Sequence, residues 1–253
     1  MYSEFANKTA LVVGGTTGIG ESVVQAFLDC GCNVVFAGIE DQRGVALQQQ
    51  LQNKNPGRAL FVRTDVRIAS QVESLMQIAE NHFGRVHFAL NNAGYEGPFG
   101  PIQDAEEADF DRIIGTNLKG VWLGMKYEIK HMLRHGGGSI VNTSSSAGIV
   151  SIPQVGIYSA SKHGIIGLSK AGALEQSRAG IRINVIAPGP VRTGLLSRMI
   201  EGKIALDAIA DLVPMGRISE PSEIAQAVLW LCSAAASYVT GHTLVLDGGL
   251  TVA

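Results

Sequence analysis

Short apolar segments alternate with longer segments of helical periodicity along the whole chain. The apolar segments predict seven strands, at Ala10–Val13, Val34–Ala37, Ala59–Val62, Val86–Leu90, Ser139–Thr143, Ile181–Ala187 and Thr243–Leu246. The longer segments predict helices over 18–30, 41–53, 69–83, 105–134, 157–178 and 221–236. Strands that are apolar at nearly every position are typical of a parallel sheet covered on both faces. We therefore predict an α/β fold with a doubly wound, Rossmann-type parallel sheet of seven strands.

No linker, low-complexity tract or internal repeat interrupts this alternation. We therefore predict a single domain over residues 1–253. Residues 194–215 fall outside the alternation and form a long, mixed stretch, which is typical of a mobile lid over a substrate. Leu195, Leu196, Met199 and Ile200 suggest that this lid has an apolar inner face.

Composition and charge exclude several classes of partner. Twenty basic residues against 22 acidic ones leave a formal net charge of −2, so we expect neither a nucleic acid nor a membrane partner. No apolar run approaches the ~18 residues of a membrane span, and residues 1–8 lack the features of a signal peptide. The three cysteines and the histidines show no metal-ligand spacing. We expect reduced thiols, a cytoplasmic location and no metal.

A glycine-rich turn connects the first strand to the first helix. Gly14, Gly18 and Gly20 stand where backbone N–H groups and the helix dipole can receive a pyrophosphate. Their spacing is Gly-x3-Gly-x-Gly rather than the Gly-x-Gly-x2-Gly of the dinucleotide fingerprint. A tight turn without a ligand is the alternative interpretation. The strand-turn-helix context favours a dinucleotide.

The end of the second strand bears on the choice of cofactor. Gly38 occupies the position where an acidic residue would hold the adenosine ribose. Glu40 or Asp41 could reach the ribose instead, or Gly38 could leave space for a 2′-phosphate with Arg43 as its partner. Because no basic residue lies in the glycine turn or directly after Gly38, we favour NAD over NADP.

Tyr158 and Lys162 form the most informative pair. Four residues apart on a helix, they share one face. A free phenol has a pKa near ~10, and a neighbouring ammonium lowers it. Such a tyrosine could exchange a proton with an alcohol or carbonyl oxygen. A tyrosine and a lysine at this spacing are more often a surface contact, so a catalytic interpretation depends on the other motifs in the sequence.

Further polar or glycine-containing motifs follow the other strands, where ligands bind in doubly wound sheets. Ser145 follows the fifth strand, and Asn117 lies within a helical pattern although asparagine is a mediocre helix former. The remaining motifs are Asp65-Val66, Asn91-Asn92-Ala93-Gly94 and Pro188-Gly189-Pro190-Val191-Arg192-Thr193.

Taken together, these motifs resemble the short-chain dehydrogenase/reductase family, in its compact, single-domain, bacterial-type form. The resemblance extends from the glycine turn to Asp247-Gly248-Gly249, with Val13 in place of the usual threonine and Gly38 in place of the usual acid. It implies a catalytic tetrad of Asn117, Ser145, Tyr158 and Lys162. It implies NAD(P) contacts at Gly14, Thr17, Gly18, Ile19, Gly20, Gly38, Asp65, Val66, Asn91, Ala93, Gly94, Tyr158, Lys162, Pro188, Gly189, Val191 and Thr193.

The implied reaction is hydride transfer between the nicotinamide and a secondary alcohol or ketone. Tyr158 would exchange the hydroxyl proton, Lys162 would lower its pKa, Ser145 would hold the substrate oxygen and Asn117 would position a water. We expect a small, neutral or cyclic substrate bound between residues 95–101, residues 149–154 and the lid. A 3-oxoacyl carrier-protein reductase and a non-catalytic dinucleotide sensor are the alternatives.

The oligomeric state is also implied. Gly164, Gly167 and Gly172 lie inside the Tyr158 helix, where each glycine costs ~1 kcal/mol relative to alanine. Such a cost suggests that another backbone approaches closely. The family associates through this helix and the preceding one, so we expect a homotetramer, or at least a homodimer.

Overall fold

All seven predicted strands are present and form one parallel sheet. The computed structural model describes residues 3–200 and 205–253. The strands are β1 (Thr9–Val13), β2 (Asn33–Gly38), β3 (Ala59–Arg63), β4 (Phe88–Asn91), β5 (Gly138–Thr143), β6 (Ile181–Pro188) and β7 (Thr243–Leu246). Their order is β3-β2-β1-β4-β5-β6-β7, with every neighbouring pair parallel. The order reverses between β1 and β4, which is where such sheets bind ligands at their carboxyl edge. The predicted doubly wound sheet is confirmed.

Helices cover both faces of this sheet. They are α1 (Gly18–Asp29), α2 (Asp41–Lys54), α3 (Ala69–Phe83), α4 (Glu107–Ile114), α5 (Gly120–Arg134), α6 (Gly156–Gln176), α7 (Gly194–Ile200), α8 (Leu206–Leu212) and α9 (Pro221–Cys232). α1, α2 and α9 supply one buried cluster, whereas α3, α5 and α6 supply the other. In β1, Ala10 and Val12 join the first cluster and Leu11 and Val13 join the second. This alternation explains why the strand is apolar at every position.

The helix predicted over 105–134 is present as an uninterrupted helical segment, but its winding changes in the middle. It begins at Glu107, and the five residues Gly115–Lys119 between α4 and α5 form a π-helical segment. Single π turns inside helices are rare and occur frequently at functional sites. The periodicity of apolar residues could not reveal this change, because one widened turn shifts the pattern too little. Asn117 lies at the centre of the segment.

The stretch predicted to be a lid contains α7 and α8, separated by residues 201–204, which lie outside the described residues. Met199 of α7 packs against a small cluster formed by Ala147, Val155 and Tyr158. At the other end, the N–H of Met215 donates to the carbonyl oxygen of Gly248 at 3.1 Å. The stretch therefore contacts Tyr158 near its start and the C-terminal segment at its end. Within the described residues, no helix has the length and apolar character needed to cross a membrane.

Candidate active site

The glycine turn, the end of β4 and the loop after β6 meet at the reversal point of the sheet. Gly14 has φ +78°, and a Cβ there would lie 2.5 Å from the nitrogen of Ala93. Gly18 has φ +55°, and a Cβ there would lie 3.0 Å from Cγ2 of Thr193. Three segments that the sequence assigned to the cofactor are thus in contact. A turn that tolerates no side chain, at a helix N-terminus, fits a dinucleotide pyrophosphate.

The two asparagines that end β4 and begin the next loop have different environments. Asn92 donates through Nδ2 to the carbonyl oxygen of Gly14 at 3.1 Å, so it supports the turn, a role that the sequence analysis missed. Asn91 was expected at the cofactor, but its side chain is buried, where it donates to Glu128 Oε2 at 3.0 Å and Asn142 Oδ1 at 2.9 Å. The difference follows from strand geometry, since consecutive side chains point to opposite faces, and the cofactor contact expected at Asn91 stays a prediction.

The residues expected at the adenine lie at the end of β3. The Asp65 carboxylate accepts from Arg67 Nε at 2.9 Å and Nη2 at 2.6 Å, and these hydrogen bonds lower the pKa of Asp65. Val66 is buried, and a Cβ on Gly120 would lie 2.8 Å from its Cγ2. Val66 therefore belongs to the core as much as to the cleft.

Gly38 packs closely against the glycine turn. A Cβ at this position would lie 2.9 Å from Oγ1 of Thr16 in the glycine turn. Arg43 reaches the same turn: its Nε donates to the carbonyl oxygen of Thr16 at 2.8 Å, and its Nη2 lies 2.8 Å from Glu21 Oε2. The Arg43 guanidinium is thus partly neutralised by Glu21. The other two turn residues named as cofactor contacts are Thr17, the N-cap of α1, and Ile19, which packs against the core.

Tyr158 and Ser145 lie next to each other, and Tyr158 is buried. A hydrogen bond joins Ser145 to Tyr158, and Ser145 Oγ also accepts from the N–H of Ala147 at 3.1 Å, which orients the hydroxyl. Burial raises the pKa of Tyr158 to about 12, the negative charge of Glu96 acts in the same direction, and the bond from Ser145 opposes them. In this structure the phenol is therefore held in its protonated form at neutral pH.

Lys162 lies beside the Tyr158 ring, and its expected effect on the pKa of Tyr158 stays a prediction. Its Nζ lies 5.6 Å from the centroid of the Tyr158 ring and donates to the carbonyl oxygen of Thr143 at 2.8 Å. Burial lowers the pKa of Lys162 itself to about 8. Helical spacing therefore placed the two residues together, and burial is the largest cause of both pKa shifts. A Cβ on Gly94 would lie 3.7 Å from Lys162 Nζ, so the loop after β4 borders the ammonium.

Asn117 joins the loop after β4 to α6. Its Oδ1 accepts from the N–H of Tyr95 at 2.8 Å, and its Nδ2 donates to the Tyr95 carbonyl at 2.9 Å and to Ser161 Oγ at 3.0 Å. The side chain is fully buried. Both amide hydrogens are used within the protein, so the amide acts first as a clamp. Its expected role in holding a water stays a prediction.

The loop after β6 continues the cleft. Pro188 ends the strand, and a Cβ on Gly189 would lie 2.8 Å from the Cα of Asp247. Val191 is buried and pairs with Ser219 in a short parallel bridge. Thr193, two residues further along the loop, packs against Gly18 of the glycine turn. The Asp247-Gly248-Gly249 motif near the C-terminus therefore packs against the loop after β6.

A small pocket adjoins Tyr158 at the position expected for the substrate. Glu96, Pro98 and Gly100 line it from one side, and Gln154 lines it from the other. Gln154 has φ +67°, a left-handed conformation that is uncommon outside glycine, and its carbonyl accepts from the N–H of Gly100 at 2.9 Å. The two predicted substrate segments, 95–101 and 149–154, are therefore bonded to each other at the pocket.

A cluster that the sequence spacing missed lies away from this site. Glu80 of α3 lies 3.2 Å from His131 Nδ1 and 3.0 Å from His135 Nε2, both on α5. These atoms could surround a metal, but His131 Nε2 accepts from the N–H of Val86 at 2.9 Å. A metal on Nδ1 would require a proton on Nε2, facing that N–H donor. The tautomer thus favours a hydrogen bond to Glu80 over a metal ion.

The three glycines inside α6 were expected to allow close approach of another backbone. The structure corrects this expectation, because their surroundings differ. A Cβ on Gly172 would lie 2.7 Å from Met125 Cε, and a Cβ on Gly164 would lie 3.0 Å from Leu118, so side chains of this chain explain both. Gly167 has no atom within 4 Å of the corresponding position. Only Gly167 is left for an approach from outside the chain.

Comparisons with known proteins agree with this geometry. A family model described as "Enoyl-(Acyl carrier protein) reductase" matches residues 13–251. A 2,5-dichloro-2,5-cyclohexadiene-1,4-diol dehydrogenase of Sphingobium indicum is 38% identical over 98% of this chain and 99% of its own length. A cyclohexanol dehydrogenase of Acinetobacter sp. is 36% identical over 99% of this chain and 98% of its own.

Two solved structures superpose closely. Levodione reductase has a TM-score of 0.93 at 32% identity and covers 98% of this chain and 99% of its own. A structure described as "ElxO with NADP Bound" has a TM-score of 0.91 at 32% identity and covers 97% of this chain and 99% of its own. The chain belongs to the short-chain dehydrogenase/reductase family, and it is an NAD(P)-dependent oxidoreductase that interconverts alcohols and ketones.

Proposed function

We propose that this enzyme transfers a hydride between the nicotinamide and a secondary alcohol or ketone carried on a small ring. The observation that carries the proposal is the hydrogen-bonded pair of Ser145 and Tyr158, with Tyr158 lining a small pocket that contains the segments predicted to bind substrate. Relatives that act by name on cyclohexanol and on a cyclohexadienediol support a ring substrate.

The cofactor would be held by the glycine turn, with Asp65 and Val66 toward the adenine and the loop from Pro188 to Thr193 toward the nicotinamide. The bound cofactor supplies or accepts the hydride. The protein's own residues do the rest: Ser145 orients the substrate oxygen, and Tyr158 gives a proton to it or takes one from it. Because Tyr158 is protonated at neutral pH, it is ready as the acid for ketone reduction.

Lys162 and Asn117 keep this arrangement in place. Lys162 Nζ, bonded to the Thr143 carbonyl, fixes its ammonium beneath the Tyr158 ring. Asn117 holds the loop that borders the ammonium through its bonds to Tyr95. Positioned acid–base help of this kind contributes roughly 10²–10⁴-fold to the rate.

Replacing Tyr158 by phenylalanine tests the assignment. We expect Tyr158→Phe to lower turnover of cyclohexanol or cyclohexanone by at least ~100-fold while the cofactor dissociation constant changes little. Tyr238→Phe, at a fully exposed tyrosine, is the matched control and should keep full turnover. Turnover near the wild-type rate in Tyr158→Phe would remove Tyr158 from the mechanism.

NAD is the proposed preferred cofactor. Arg43 is the basic residue nearest the glycine turn, and Glu21 already neutralises part of its charge, which weakens it as a partner for a 2′-phosphate. Parallel titrations with NADH and NADPH test this choice. Tighter NADPH binding that is lost in Arg43→Ala would reverse it.

The stretch 194–215 is proposed to cover the bound substrate. Met199 already packs on the Tyr158 cluster, and Ile152 and Phe99 pack there too. A bulky polar residue at Met199 would disturb this cover: Met199→Asp should raise KM for the ring substrate more than it lowers cofactor affinity. Equal effects on both would argue against a lid.

The oligomer is proposed to form through α5 and α6. Ile114, Leu118, Trp122 and Leu168 line an apolar groove there, and Trp122 is 44% exposed. Gly167 borders the same groove without a neighbour of its own. A second copy of this chain fits such a face, in a homotetramer or at least a homodimer. Sedimentation of a monomer at micromolar concentration would contradict it.

The cytoplasmic location inferred from the sequence also stays a proposal. Cys30, Cys32 and Cys232 are free thiols in the structure, as in a reducing compartment. Fractionation of the producing cells would test it.

A further inference from the structure

One carboxylate lines the small pocket beside Tyr158, and the proposed proton transfer does not use it. Glu96 follows Tyr95 in the loop after β4, and its side chain is only 7% exposed. It lines the same pocket as Tyr158 and Gln154. Among the described residues that line this pocket, Glu96 is the only one with a charged side chain. Burying a charge among apolar groups is unfavourable unless it has partners, so its presence needs a cause.

One partner comes from α7. Arg198 Nε lies 2.6 Å from Glu96 Oε1, and Arg198 Nη2 lies 3.3 Å from Oε2. The Arg198 side chain is 60% exposed, so it approaches the carboxylate from the solvent side. A carboxylate offers about four lone-pair positions, and these two hydrogen bonds leave roughly half of them available. Glu96 can therefore accept a further hydrogen bond.

Proton transfer alone gives no reason for a carboxylate here. The negative charge of Glu96 adds to the burial that raises the pKa of Tyr158, so it opposes formation of the phenolate that alcohol oxidation needs. Arg198 reduces this effect by pairing with the carboxylate. A group that hinders one direction of the chemistry and requires a counter-ion is better explained by what it binds.

We propose that Glu96 is a specificity-determining residue that accepts a hydrogen bond from a second hydroxyl group on the ring, so that the preferred substrates are cyclic diols or hydroxy-ketones. This inference rests on the proposed function and deepens it. A second hydroxyl donates to the carboxylate, whereas a carbonyl or ether oxygen at the same place can only accept and is repelled. A substrate with one hydroxyl would leave the carboxylate facing an apolar ring.

A matched set of substrates tests the inference on the wild-type enzyme. Cyclohexanol and the 1,2-, 1,3- and 1,4-cyclohexanediols differ only in the second hydroxyl and its position. We expect kcat/KM for at least one diol to exceed that for cyclohexanol by about 10- to 100-fold, as a hydrogen bond to a charged group allows. Equal values for cyclohexanol and every diol, after correction for the number of reacting hydroxyls, would overturn the inference.

Two variants separate recognition from a purely structural latch. Glu96→Gln should remove most of the preference for the diol by lowering its kcat/KM, with cyclohexanol less affected. Arg198→Gln keeps the carboxylate, so the diol preference should persist. The rising limb of the pH profile for alcohol oxidation should move to higher pH, because the unpaired carboxylate opposes the phenolate more strongly. Glu73→Gln, at an exposed carboxylate of α3, is the control and should change neither substrate.

The outcomes are distinct. If Glu96→Gln lowers kcat/KM for cyclohexanol and the diol by the same factor, the ion pair serves only to hold α7 and the inference is wrong. If Glu96→Gln does not fold, the wild-type preference and its persistence in Arg198→Gln still decide. If the wild-type enzyme oxidises none of the four alcohols, or Tyr158→Phe matches it, the proposed function itself fails and the inference with it.

Discussion

Replacing Asn117 by alanine tests whether this residue is a clamp. The substitution removes hydrogen bonds of 2.8, 2.9 and 3.0 Å from a fully buried side chain. At ~1 kcal/mol of net stabilisation for each bond, the loss amounts to ~3 kcal/mol. Water can reach the half-buried Tyr95 and compensate in part, so we expect ~2–3 kcal/mol. For a chain of this size that corresponds to a Tm lower by roughly 4–12 °C.

The same substitution should affect function through the loop that follows β4. With Tyr95 released, Gly94 no longer borders Lys162 in a fixed place, and we expect weaker cofactor binding as well as slower turnover. Denaturant unfolding, cofactor titration and kcat would be measured together. Asn81→Ala, at an exposed asparagine of α3, is the control and should leave all three nearly unchanged.

The clamp and the water relay predict different results for Asn117→Ala. A residue that only holds a water would lose kcat while stability and cofactor affinity stayed at wild-type values. A stability change below ~0.5 kcal/mol with kcat strongly reduced would therefore refute the clamp.

Three further predictions concern charge and backbone conformation. Burial raises the pKa of Glu128 to about 7 from 4.5, so the folded state binds more protons than the unfolded state between these values, and stability falls as pH rises through them. Glu128→Gln should abolish that fall and be more stable than the wild type at pH 8 by up to ~3 kcal/mol, measured by urea unfolding. An unchanged dependence of stability on pH in this variant would contradict the prediction. Burial lowers the pKa of Lys162 to about 8 from 10.5, so the unfolded state binds more protons in that window and stability should rise with pH across it; the rise should be missing in Lys162→Met. Gly18→Ala should weaken cofactor binding by at least ~10-fold, whereas Gly57→Ala, at φ +72° with no atom within 4 Å of the new Cβ, carries similar backbone strain and should leave binding intact. Equal cofactor affinity in the two glycine variants would argue against a pyrophosphate site at the glycine turn.

The elements that could be predicted from the sequence are those in which the local pattern and the tertiary environment agree. The central strands are largely apolar because both faces are covered, and short apolar segments located all seven strands. The glycine turn was recognisable because its torsions and close contacts admit almost no other residue. Tyr158 and Lys162 could be paired because helical spacing places them on one face.

Other features depended on contacts between distant segments. The π-helical segment at Asn117 and the bonds from Asn117 to Tyr95 cannot be read from spacing, because they join two separate parts of the chain. Asn91 and Asn92 are identical in type and adjacent, yet one enters the core and the other supports the glycine turn. The ion pair of Glu96 with Arg198 joins residues 102 positions apart, so no local sequence pattern predicts it.

The amino-acid sequence by itself determined the succession of strands and helices along the chain, the glycine turn for a dinucleotide and the set of polar residues at the carboxyl edge of the sheet. These follow from local preferences: apolar periodicity, backbone torsion and helical spacing. Only the tertiary structure decided how the polar residues behave. Burial is a property of the packed molecule, and it raises the pKa of Tyr158 and lowers that of Lys162. Packing also brings the Glu96 carboxylate into the pocket that Tyr158 lines and pairs it with an arginine from another helix.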